Sequence, residues 1–89
     1  MADLEARPVD PRDQRWEVWN PRYRVYFWRR VGDSYYSREF EIATEAVQDV
    51  LAWADENRSP DETFTLFAVV DHGDRGLVRL AGSDPSRSA

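Results

Sequence analysis

Apolar and polar residues alternate along most of this chain, and the alternation gives way once to a helical period. From Tyr23 to Val31, the residues Tyr23, Val25, Phe27, Arg29 and Val31 fall on one side of an extended chain, and Arg24, Tyr26, Trp28 and Arg30 on the other. Asn20-Pro21 before this run is a turn signal, because proline cannot donate to a ladder. Gly32-Asp33-Ser34 after it suits a hairpin turn. Strands are therefore expected at Trp16–Trp19, Tyr23–Val31 and Tyr35–Ile42, the last two paired antiparallel. In the third strand Tyr36, Arg38, Phe40 and Ile42 share a face, opposite Tyr35, Ser37, Glu39 and Glu41.

The period changes after Ala43. Val47, Val50, Leu51 and Ala54 recur at i, i+3, i+4 and i+7, one stripe of a helix, while Gln48, Asp49, Ala52, Asp55 and Glu56 fill the other side. This predicts a helix over Glu45–Glu56, with Thr44 as N-cap, Glu45 in the first turn, and Asn57 and Pro60 as the stop. Alternation then returns in Thr63–Asp71 and Leu77–Ala81, separated by Gly73-Asp74-Arg75-Gly76, which predicts a second hairpin.

The order is β-β-β-α-β-β. It points to an α+β fold, an antiparallel sheet of about five strands with one helix on one face. The pattern does not decide whether the second hairpin joins beside the first strand or the third. Residues 1–14 and 82–89 are rich in small, charged and proline positions and read as disordered tails around a single domain at 15–81.

Composition sharpens this picture at one place. Nine of the chain's aromatic residues lie between Trp16 and Phe40, interleaved with Arg22, Arg24, Arg29, Arg30 and Arg38. A helix of about 12 residues spans only ~18 Å and covers part of such a sheet. The far face is left with Arg24, Tyr26, Trp28, Arg30 and Tyr35, joined by Trp19 and Phe67. Trp, Tyr, Phe and Arg are the residues enriched at interface centres. That face is the expected site for a protein partner or a second copy of the chain. The competing arrangement has Arg24 and Arg30 paired across the hairpin with Glu39 and Glu41, which would make the face a self-satisfied layer.

Charge and chemistry exclude more than they add. The net charge of −5 opposes nucleic-acid binding, although Arg24, Tyr26, Trp28 and Arg30 resemble a stacking row. Every basic residue apart from His72 is arginine, as a GC-rich bacterial genome favours. The absence of cysteine removes disulfides and thiolate chemistry. No apolar run reaches membrane-spanning length and no signal segment is evident, so a cytoplasmic location is expected. His72, between Asp71 and Gly73-Asp74, lacks metal-ligand spacing and sits among turn residues. Glu39 and Glu41 share a face but have arginines beside them. No glycine cluster forms a phosphate loop, and no cofactor is implied. The alternative site is a small-molecule cleft between helix and sheet, lined by Tyr36, Phe40 and Trp53. The reading is thus a non-enzymatic interaction module.

Overall fold

A computed structural model describes residues 4–13, 17 and 20–85, leaving aside the side chains of Asp13 and His72. Among these residues a single antiparallel sheet of four strands carries one α-helix, with a short 3-10 turn at Pro11–Asp13 before it. The strands are β1 (Arg22–Val31), β2 (Ser34–Ala43), β3 (Glu62–His72) and β4 (Asp74–Ala81), and the helix is α1 (Val47–Asn57). The fold is α+β, as the alternation predicts. Of the expected first strand, Trp16, Val18 and Trp19 lie outside the described residues.

The strand order is β2-β1-β3-β4, which corrects both alternatives drawn from the sequence: the second hairpin joins neither the expected first strand nor the third but the expected second one, here β1. Among the described residues, β2 and β4 are therefore the edges of the sheet. Val31 pairs with Ser34 across the two-residue turn Gly32-Asp33, where Gly32 takes a positive φ of 61°. Glycine reaches that region without strain, and such turns match strand twist. The second turn is tighter than the Gly73–Gly76 cluster suggests. His72 and Asp74 already face each other, Gly73 carries φ 88°, and β4 begins at Asp74.

The core lies where the face assignment puts it. Tyr23, Val25 and Phe27 of β1 and Leu66 of β3 are buried against Val50 and Ala54 of α1. The register sets Val25 between Phe40 and Leu66, and Phe27 between Arg38 and Phe64, so alternate residues of β1, β2 and β3 share the helix side.

The helix departs from the expected one in two ways. It starts at Val47 rather than Glu45, with Ala46 as an N-cap that has no side-chain bond. Thr44 instead continues the ladder, its N–H donating to the Pro21 carbonyl at 3.2 Å, and its hydroxyl meets the Ala46 N–H at 3.4 Å. The buried stripe is also rotated. Leu51 is 37% exposed, while Trp53 turns inward, its ring 5.7 Å from Phe27 and 5.2 Å from Phe40. A large ring reaches the end of the sheet that Leu51 does not.

One ion pair closes that end of the core. Arg38 grips Glu62 with two bonds, 3.0 Å from Nε and 2.7 Å from Nη2, and also donates to the Asn57 carbonyl at the helix C-terminus. Its guanidinium lies 4.8 Å from the Phe27 ring centre. Glu62, only 5% exposed, takes a further bond from the Ser59 N–H. These bonds, the Arg38 pair above all, pull its carboxyl from 4.5 down to about 2, against the opposing effect of burial.

Candidate functional site

On the side of the sheet away from α1, alternate residues of each strand form a second face. Arg24, Tyr26 and Trp28 of β1 stand across from Glu41, Glu39 and Ser37 of β2, and from Phe67, Thr65 and Thr63 of β3. Tyr26 is the hub. Its ring lies 6.1 Å from Trp28, edge-on, and 5.1 Å from Phe67. Tyr26, Trp28 and Phe67 are all half-buried, packed on one another, and among the described residues no second layer of secondary structure lies above them.

The chain beyond β4 returns along this face. Gly82, at φ 79°, passes so close to β3 that an added Cβ would sit 2.3 Å from the Phe64 carbonyl oxygen. Ser83 then accepts a bond from the Thr65 hydroxyl at 2.8 Å, and Thr65 in turn accepts from the Trp28 indole N–H at 3.0 Å. Thr65 is completely buried, and these bonds satisfy its hydroxyl and the indole N–H of Trp28. Beside it lies a shallow recess of about 570 Å³, bounded by Tyr26, Phe67, Leu77, Arg79 and Asp84.

One end of the face is a charge ladder across all four strands. Glu41 of β2 meets Arg24 of β1 at 3.0 Å and Arg22 at 3.5 Å; Arg22 reaches Asp71 of β3; and Asp71 meets Arg75 of β4 at 3.1 Å. The hydrogen bond from Arg24 holds the Glu41 carboxyl below its usual range, and that from Arg75 does the same for Asp71. Both acids are well exposed, so each pair contributes little by itself.

The expected site residues therefore separate. Tyr26 and Trp28 meet on the open face, with Arg24 beside them but engaged by Glu41. Arg30 sits at the hairpin end, donating to the Gly32 carbonyl, and Tyr35 is partnered with it in register at 38% exposure. Trp19 lies outside the described residues. In the alternative cleft, Phe40 and Trp53 fill the seam against each other. Tyr36 borders a different recess of about 270 Å³ with Arg29, Ser37, Arg38, Ser59 and Glu62. Asp71, the acid beside His72, is held by two arginines.

Sequence reasoning passed over Leu77, Arg79 and Asp84 as part of the face. Their placement depends on β4 joining β3 and on the return past Gly82, and neither has a local signal. Among the described residues no helix is long and apolar enough to cross a membrane. No family model matches this chain, and no curated protein or solved structure does.

Proposed function

We propose that this protein is a cytoplasmic interaction module that holds a protein partner on the open face of its sheet. The observation that carries the reading is the cluster of Tyr26, Trp28 and Phe67, large rings half-exposed beside a 570 Å³ recess. Aromatic anchors next to a concavity, ringed by arginine and acid, are the arrangement in which contact energy concentrates. The ring edges and Leu77 supply apolar area, and Arg79 and Asp84 supply the polar rim.

The same geometry orders the contributions. Trp28 has its N–H taken by Thr65 and Arg24 has its charge taken by Glu41, so both act chiefly as packed walls. Tyr26 and Phe67 are the contact centre. Pairing of Arg24 and Arg22 with acids lowers the positive charge this face offers to phosphate, which, with the chain's net charge of −5, disfavours single-stranded nucleic acid. A small-molecule role gains no support from the helix seam, where Phe40 and Trp53 already touch.

The test is affinity capture with the intact chain and with Tyr26→Ala and Phe67→Ala, followed by titration of the purified partner. A partner whose affinity falls at least tenfold with either substitution, and is unchanged by Asp49→Ala on the helix, fits the reading. Equal capture by all forms refutes it.

A further inference from the structure

We infer that β2 is a pairing edge, and that its occupant is β2 of a second copy of this chain, joined antiparallel about a two-fold axis at Ser37. This surface is distinct from the open face, and the inference stands without the function proposed above.

The two edges of the sheet are treated differently by the sequence. Edge strands expose a row of unpaired N–H and C=O groups, and natural proteins blunt them with proline, bulges, short length or projecting charge. β4 has such features: eight residues, Gly76 inside it, and a register irregularity opposite Leu66 and Phe67. β2 has ten residues, no proline or glycine, and an unbroken register with β1. Every residue of β2 except Ile42 is exposed, including Tyr36 at 58%, Tyr35 at 38% and Phe40 at 37%. Its one basic residue does not guard it. The Arg38 guanidinium is drawn back over Phe27 to Glu62 on β3, away from the free edge.

The direction of the free groups follows from the hairpin. Ser34 pairs with Val31 across the two-residue turn, and Thr44 at the other end donates its N–H to Pro21. Even-numbered residues thus turn their backbone groups to β1, and Tyr35, Ser37, Glu39 and Glu41 turn theirs outward.

Side chains choose the register. A two-fold axis perpendicular to the sheet sets residues of the same face opposite each other. An axis at Arg38 would oppose two arginines, one at Glu39 two glutamates, and one at Phe40 would set Glu39 against Glu41. The longest overlap free of like charges is centred on Ser37. It places Tyr36 against the partner copy's Arg38 and Tyr35 against the partner copy's Glu39. The outward groups of Tyr35, Ser37 and Glu39 then meet their counterparts in mutually hydrogen-bonded pairs. The result is one eight-stranded sheet whose two Tyr26–Phe67 clusters lie on the same side.

The chain's lack of cysteine makes a direct test possible. Native mass is measured by light scattering for the intact protein and for Ser37→Pro. The substitution removes an outward N–H and leaves the β1 ladder intact. Ser37→Cys is oxidised beside Asp49→Cys as the control. The expected result is a dimer mass for the intact chain, a monomer mass with unchanged far-ultraviolet circular dichroism for Ser37→Pro, and disulfide-linked dimer at least tenfold faster from Cys at 37 than at 49. If Ser37→Pro fails to fold, the cysteine pair and the intact mass decide alone. A monomeric intact chain overturns the inference. So does a dimer in which Cys at 37 links no faster than the control.

Discussion

Two residues carry more of this fold than their types suggest. Gly82 is the first. Its positive φ and the 2.3 Å approach of any Cβ to the Phe64 carbonyl leave no room for a side chain. Gly82→Ala is expected to cost about 1–3 kcal/mol, read as a lower urea midpoint. Because Ser83 follows it, the same change should loosen the Thr65–Trp28 bonds and red-shift indole emission. Glu62 is the second. Its carboxyl stands at about 2 in the folded chain against 4.5 ordinarily, so folding favours the ionised form. The stability this supplies is complete above pH 4.5 and drains away as pH falls toward 2. With Arg38 half-exposed, a discounted value is roughly 2 kcal/mol. Glu41 and Asp71 are shifted the same way, so the test is a difference: stability of the intact chain minus that of Glu62→Gln should shrink between pH 5 and pH 2. A constant difference would contradict it. Neither residue was legible in the sequence. Gly82 reads as the start of a polar tail, and Glu62 as the last residue of a loop, until the strands bring Phe64 and Arg38 to them.

At the scale of elements, periodicity served well along the strands and for three of the four positions of the helix stripe, Val47, Val50 and Ala54, but not for Leu51. Alternation in Tyr23–Val31 assigned both faces of β1, because one register error would have put Val25 and Phe27 in water. In the helix, several apolar residues compete for a stripe narrower than their number. Leu51 fits the i, i+3, i+4 pattern, yet Trp53 won the inner position through Phe27 and Phe40. Hence Val50→Ala should cost about 2 kcal/mol and Trp53→Ala about 3–5, whereas Leu51→Ala should cost under about 1. Denaturant titrations of the three variants check this order. Thr44 does not cap because the helix begins later: the N-cap position falls on Ala46, and the Thr44 hydroxyl meets the Ala46 N–H rather than a first-turn amide of α1.

Across the whole molecule, the decisive fact is the number of layers. Among the described residues one sheet and one α-helix enclose one core, and the rings of Tyr26, Trp28 and Phe67 belong to the face that the helix does not cover. The sequence announced an aromatic surplus on β1. It did not reveal that β4 and the Gly82 return would frame that surplus into a recess with Leu77, Arg79 and Asp84, because strand order is a property of the assembled sheet. The charge ladder from Glu41 to Arg75 is equally a product of that order. The central claim is that this face is a contact surface for another protein. The most direct measurement replaces Tyr26 with a photoreactive benzophenone amino acid in the living cell and irradiates it, with position 52 on the exposed side of the helix as control. A discrete crosslinked protein species from position 26 and none from position 52 is the predicted result. No crosslink from position 26, or the same products from both positions, would contradict it.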